Sequence, residues 1–423
     1  MGIMSSLNRQ QKEAVGLLQL GTFLEYFDLM LYVHMAVLLN ELFFPQTDPH
    51  TTALLGAFAF CSSFVLRPFG ALIFGYIGDH IGRKSTVIVT TMMMSISCVI
   101  MANLPVYAQI GITATWIITL CRVVQGLSSM GEIMGAMVYV TEITKPPVQY
   151  PAVAFISLAS GVGAFAALGI ASLVTTAGFN WRMAFWVGAC IAVVGSIART
   201  RLRETPDFLD KKSQREQHKK NKTTFVDEKI DKKTVLNFFL VFCGWPLSFY
   251  IVFMYFNPLL KANFGYSSAD VIHHNFYLSI VLCASSAVLT FLSYRIYPLK
   301  LLMIRGRILL VLLPFLPFLI SHASSPAHLF MIQALLTIFS LGEIPAGSIL
   351  ITYLPVLKRV TATSFLYALS RSIMYIITSF GLVYITSFFG HYGLWLLFVP
   401  ITIGFLWSVN YFWERERECG NTA

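Results

Sequence analysis

Charge is what this 423-residue chain has least of: Asp, Glu, Lys and Arg make up 12% of it, against 56% hydrophobic residues. So little charge, with a mean hydropathy of +0.70, excludes an ordinary soluble protein and places the chain in a bilayer. Acidic residues are scarcer than basic ones, 20 against 30, but the net charge of +10 is no sign of nucleic acid. In a membrane protein the sidedness of Lys and Arg carries the meaning. Cysteine is sparse and scattered. Cys61, Cys98, Cys121, Cys190, Cys243 and Cys283 sit singly in apolar runs and Cys419 in the polar tail, so no disulfide framework or metal spacing exists, and no metal or cofactor is expected. No paired His and carboxylate, and no Ser-His arrangement, lies at one depth, which argues against an intramembrane enzyme. A receptor would need a soluble signalling domain, and the charged linker and short tail leave no room for one. The N-terminal stretch lacks a small-residue cleavage site, and Glu25 and Asp28 interrupt its apolar run. It reads as an uncleaved first helix.

What is present is organised around GALIFGYIGDHIGRK, Gly70 to Lys84, where an apolar segment runs into Gly78, Asp79, Gly82, Arg83 and Lys84. The preceding run is long enough to cross a hydrocarbon core of about 30 Å, and the charges fall where it emerges. Apolar runs of this kind number twelve, at 14–42, 52–77, 86–104, 112–140, 150–176, 182–200, 235–260, 271–293, 302–320, 327–354, 360–387 and 392–413. A segment dense in Lys, Glu and Asp separates the sixth from the seventh. The expected organisation is an all-α membrane protein with an N-terminal six-helix half (1–200), a charged cytoplasmic linker (201–234), a C-terminal half (235–413) and a tail (414–423).

With both termini cytoplasmic, that side receives Arg9, Lys12, Arg83, Lys84, Lys145, the linker cluster, Arg295, Lys300, Arg305, Arg307, Lys358, Arg359, Arg415 and Arg417. The outer side receives only Arg182 and Lys261. Adding or dropping one helix would send basic loops to the wrong side. The halves echo each other: GEIMGA in the fourth span (Gly131, Glu132, Ile133) answers GEIPAG in the tenth (Gly342, Glu343, Ile344), the mark of transporters built from repeats around a midplane site.

A charge within the bilayer is expensive unless it is paired or faces water, so each one is a functional candidate. Arg67 lies twelve residues before Asp79, about 18 Å deep at 1.5 Å per residue. Glu25, Asp28, Glu132, Glu343 and Arg371 fall near the midplane by the same count, and Arg122 nearer the outer surface. Glu25, Asp28 and Tyr32 share one helix face, and two carboxylates so close favour proton uptake. Proton coupling is therefore assigned to Glu25 and Asp28, while Glu132 and Glu343 equally suit helix-to-helix hydrogen bonding. Arg67 and Arg371, whose guanidinium forks fit a carboxylate, are assigned to substrate with Tyr32 and Glu343. The arginines equally suit the role of counterions to Glu25 and Asp28. Gly161, Gly163 and Gly169 suit close helix packing, and Asn257-Pro258 and Pro345 predict kinks.

The loop G-x-x-x-D-H-x-G-R-K (Gly75, Asp79, His80, Gly82, Arg83, Lys84) resembles the signature between the second and third helices of the major facilitator superfamily, with His80 in place of Arg. Further motifs are similar to those of its metabolite:proton symporters, the carriers of proline/betaine, α-ketoglutarate, shikimate and citrate. They are Glu25-Tyr26-Phe27-Asp28 with Tyr32 and Phe43-Phe44-Pro45; Arg67-Pro68-Phe69-Gly70; Arg122, Gln125, Gly126, Gly131 and Glu132; and Glu204-Thr205-Pro206 with Phe208. They cover the N-terminal half, and Asn257-Pro258 adds a looser match in the other. The resemblance implies a twelve-helix, monomeric carrier of a bacterial inner membrane. It implies proton symport of a small organic acid or zwitterion by alternating access, with Glu25, Asp28, Glu132 and Arg122 in proton coupling, Arg67 in the coupling or substrate region, and Gly75, Asp79, Gly82, Arg83 and Lys84 as a cytoplasmic latch. Polycarboxylates stand slightly ahead of zwitterions in this reading, and export of an anionic metabolite, siderophore or drug is its alternative.

Overall fold

The computed structural model describes the backbone of residues 9–45, 47–80, 83–129, 132–176, 180–200, 231–355 and 359–421. Side chains of 9–14, 49, 75–80, 83–88, 91, 132, 176, 192 and 194–200 lie outside the description. Regular structure among the described residues is entirely helical. It falls into the twelve expected spans: Arg9–Phe43, Pro49–Val65 with Arg67–His80, Arg83–Asn103, Ile112–Ser128 with Glu132–Ile143, Gln149–Thr176 and Arg182–Thr200 in the first half. The second half holds Lys232–Tyr250 running on to Phe264, Ser268–Leu292, Pro298–Leu312 running on to Ser321, Pro326–Ile338 with Gly347–Thr352, Arg359–Phe389 and Leu394–Glu418.

Seven stretches are apolar and long enough to cross a membrane by themselves, and one of them, Arg359–Glu418, holds two helices. Met92–Asn103, Arg182–Ile191 and Pro326–Ile338 are shorter apolar helices, and in the fourth span the helix Ile112–Ser128 ends at Ser129. The outward faces carry Trp116, Leu120, Val311, Met331 and Phe388, each more than 60% exposed. Side chains of that size are stable there only against lipid.

The breaks follow from sequence. Pro258 has no N–H to return to the preceding turn, and the seventh span widens into a π-turn at Ile251–Tyr255 just ahead of it. The tenth loses helical form altogether between Ile338 and Gly347, around Gly342 and Pro345. Both spans thus depart from regular α-helix close to the prolines singled out. Two glycines set how closely the first half packs. A Cβ on Gly126 would lie 1.9 Å from the Ser63 carbonyl oxygen, and one on Gly163 2.3 Å from that of Phe23, so the fourth span rests on the second and the fifth on the first, backbone to backbone.

The halves meet along the second and eleventh spans, where Cys61 Sγ and Ser379 Oγ are 2.7 Å apart and the Tyr375 ring packs between Phe60 and Phe64. They meet again along the fifth and eighth, through stacked Phe165 and Phe276 and a 2.7 Å contact of Ser172 Oγ with His273 Nδ1. At one end Glu41 of the first span pairs with Lys261 and accepts from Ser268 Oγ at 2.6 Å. At the other, Arg359 Nη1 donates to Glu142 at 3.0 Å. Bridged at both ends, the halves enclose a space between them.

Candidate functional site

That space is a cavity of about 80 Å³ with walls from both halves. The first span contributes Tyr26, Met30 and His34, spaced one helical turn apart; the fifth adds Ser157 and Ser160, and the seventh Trp245, Phe249 and Phe253. Ser279 and Ser286 come from the eighth, Arg305 from the ninth, Ser340 and Glu343 from the break in the tenth, and Tyr367 and Arg371 from the eleventh. The Tyr26 and Tyr367 hydroxyls hydrogen-bond across the middle, tying the halves together at the floor of the site.

Three charged side chains line this cavity, Arg305, Arg371 and Glu343, and the last two are opposite in sign. Arg371 is buried, with its guanidinium carbon 3.5 Å from the centre of the Tyr367 ring one turn earlier. This cation–π contact leaves the edge of the fork open, and Nη1 has no hydrogen-bond partner among the described residues. Glu343 is also buried and sits on the unwound segment. Its cavity neighbours are aromatic and hydroxylic side chains together with Arg305 and Arg371. The desolvated Nη1 donor of Arg371 needs a partner, and a ligand carboxylate can supply it.

The other predicted residues are placed elsewhere. Arg122 is fully buried inside the first half. It donates to Gln125 Oε1 at 2.9 Å and to Ser63 Oγ at 2.6 Å, over the Tyr32 ring at 4.0 Å. Gln125 Nε2 in turn reaches Cys98 Sγ at 3.6 Å. Asp28, 3% exposed, lies against the sixth span, 3.5 Å from where a Cβ on Gly188 would sit, and its charge is felt at Cys98. Asp28 and Tyr32 thus share a face with Arg122, and that face looks into the first half. Glu25 is partly buried one turn before. Arg67 is buried over the Phe64 ring at 4.7 Å, near the second and eleventh spans, and does not line the cavity. The side chains of Glu132 and of latch residues Gly75, Asp79, Gly82, Arg83 and Lys84 lie outside the described residues.

Two liners were not singled out from sequence. His34 is buried between Phe249 and Phe253. A lone His in an apolar run gives no signal, although its spacing from Tyr26 and Met30 marks one helix face. Arg305, counted with the cytoplasmic charges, lies two turns inside the ninth span and bonds to the tenth. Its position relative to Pro298, which starts that helix, was the available clue.

The sequence pattern of the Major Facilitator Superfamily matches residues 18–381. The chain belongs to this superfamily. Membership bears out the fold and the reading that the protein is no enzyme. Among similar proteins, the "Inner membrane metabolite transport protein YhjE" of Escherichia coli is 34% identical over 257 residues, 59% of this chain and 58% of that one. The "Proline/betaine transporter" of Salmonella typhimurium is 31% identical over 204 residues, 47% of this chain and 41% of that one. The chain thus spans about half the length of the curated relatives it matches. The xylose transporter XylE of E. coli, in a partially occluded inward-open conformation, superposes with a TM-score of 0.70 at 13% identity, over 96% of this chain and 99% of that one. The human organic anion transporter TETRAN does so at 0.69 and 15%, over 96% and 100%. One fold carries a sugar and an organic anion, so the likeness fixes architecture alone.

Proposed function

We propose that this chain is a secondary transporter that takes up a small zwitterion, an amino acid or betaine, with protons across a bacterial inner membrane. The observation that carries the reading is the pair of opposite charges, Arg371 and Glu343, on two different spans of one aromatic-walled cavity. Arg371 takes the substrate carboxylate through its fork, and Glu343 takes the cationic end with Trp245 and Tyr26 beside it. The third cavity charge, Arg305, spends its donors on the protein itself. A second substrate carboxylate would meet Glu343 instead. Like charges about 5 Å apart repel by about 3 kcal/mol at an effective dielectric constant of 20, which turns the preference from polycarboxylates to zwitterions. The names of the proline/betaine relatives agree.

Protons are taken by Glu25 or Asp28 on the first-half side, separate from the substrate. Residues 1–200 and 235–413 are the halves that alternate, acting as a monomer, while Asp79 and Arg83 hold the cytoplasmic latch of the outward-open state and both termini are cytoplasmic. Purified protein in liposomes should accumulate radiolabelled proline or glycine betaine under an imposed proton gradient and release it on addition of a protonophore. Accumulation of succinate alone, or uptake indifferent to the gradient, would overturn the reading. Oriented vesicles distinguish uptake from export.

A further inference from the structure

We propose that Arg305 is the positioning residue for Glu343: its guanidinium staples the unwound part of the tenth span into the shape that presents the carboxylate to the cavity. The inference rests on the reading that Glu343 receives the cationic end of the substrate.

The tenth span stops being helical after Ile338 and resumes at Gly347. A helix end leaves carbonyls without partners, and within a bilayer each such group costs several kcal/mol unless protein supplies a donor. Arg305 supplies three. Nε donates to the Ile338 carbonyl at 3.2 Å, Nη1 to the Ile344 carbonyl at 3.2 Å and Nη2 to Ser340 Oγ at 3.0 Å. These acceptors bracket Glu343 in sequence, two before it and one just after. Only a planar guanidinium offers three donors in fixed directions, so one side chain sets the curvature of the whole segment.

The anchor is firm on its own side. Arg305 stands in the middle of the continuous helix Pro298–Leu312, next to Gly306, where an added Cβ would meet Leu406 at 2.7 Å. From the opposite side the seventh span holds the same segment, since Leu341 N donates to Ser248 Oγ at 3.1 Å. Within the segment Ala346 N closes a turn onto the Glu343 carbonyl at 2.6 Å. Glu343 is therefore carried on a backbone fixed before, after and from two neighbouring helices. Preorganisation of this kind spares the ligand the entropy of ordering the segment. Arg307, two residues on, is exposed and among the described residues reaches only Met303 Sδ, at 3.9 Å; the two arginines look alike in sequence and differ wholly in role.

The test compares Arg305→Gln, Arg305→Lys and Arg307→Gln in two measurements on the full chain. Hydrogen exchange followed by mass spectrometry reads the segment without any substrate. Uptake of radiolabelled glycine betaine and proline reads KM and Vmax. Arg305→Gln should speed exchange in 339–346 about tenfold while leaving Arg359–Phe389 unchanged, and should raise KM about tenfold with a smaller change in Vmax. Arg305→Lys, which keeps the charge and part of the donor set, should recover part of both effects, and Arg307→Gln should show neither. Unchanged exchange in Arg305→Gln overturns the proposal, and so does faster exchange with an unchanged KM. If the wild type accumulates neither probe, the zwitterion reading falls on its own, and the exchange measurement still decides whether Arg305 holds the segment.

Discussion

Replacing Glu343 by Gln keeps the shape of the cavity and removes one charge, so it separates a site for a zwitterion from a site for an anion. In the wild type a substrate cation close to Glu343 gains attraction and a second carboxylate at the same place meets repulsion. At about 5 Å and an effective dielectric constant of 20, each is about 3 kcal/mol, equivalent to roughly a hundredfold in affinity. The amide should therefore raise KM for glycine betaine or proline by up to about a hundredfold and improve competition by succinate in the opposite sense. Opposite signs are the diagnostic, because a general disturbance of the fold weakens both ligands alike. The assay is competition against a fixed radiolabelled zwitterion in liposomes, with wild type and variant reconstituted to equal density. If KM for the zwitterions stays within about twofold, or if both ligand classes move in the same direction, Glu343 does not read substrate charge and the argument from the cavity fails.

Gly126→Ala must push the second and fourth spans apart, because its Cβ would sit 1.9 Å from the Ser63 carbonyl; a loss of about 1–3 kcal/mol should appear as a lower midpoint in thermal unfolding in detergent. Gly161→Ala, with nothing within 4 Å of its Cβ, should leave that midpoint nearly unchanged. Arg122→Met leaves Gln125 and Ser63 without their donor and should destabilise by about 1–3 kcal/mol, measured by the same melt. Asp231 caps the seventh span from outside the membrane, and hydrogen bonds from the Thr234 side chain and the Lys233 backbone hold its carboxyl below the usual carboxylate range. A depressed pKa contributes stability above the unfolded value and loses it as pH falls through the folded one, so the Asp231→Ala deficit in melting temperature should be full at neutral pH and shrink in that acid range.

The twelve spans were legible because each is a run of apolar residues whose length is dictated by the bilayer, and Pro258 and Pro345 announced their kinks by lacking an N–H. Arg371 and Glu343 stood out as charges where charge is expensive. What periodicity could not give was absolute orientation. It grouped Glu25, Asp28 and Tyr32 on one face, but a helix surrounded by protein has two apolar-looking sides, and only packing shows that Asp28 and Tyr32 look into the first half. Arg305 was counted with the cytoplasmic charges because sidedness rules treat every basic residue near a span end as solvent-facing, whereas this one turns back to satisfy a broken helix.

The first span joins these two environments, and that arrangement bears on coupling. Tyr26, Met30 and His34 face the cavity, and Asp28, two residues from Tyr26 and thus about 200° around the helix, faces Gly188 and Cys98. A proton on Asp28 and a substrate in the cavity therefore lie on opposite sides of one helix, and on the proposed reading they influence each other through its movement. Neutralising Asp28 removes a charge from the face shared with Arg122, Gln125 and Cys98, which changes how firmly that face is held in the first half. The same rigid helix carries Tyr26, whose hydroxyl bonds to Tyr367 in the other half, and Tyr367 in turn stacks under Arg371. A small rotation of the first span thus reaches the substrate carboxylate site through two side-chain contacts. On the proposed reading, the physical element that both ligands bias is the first span itself, the kind of shared structural link that coupling between separate sites requires.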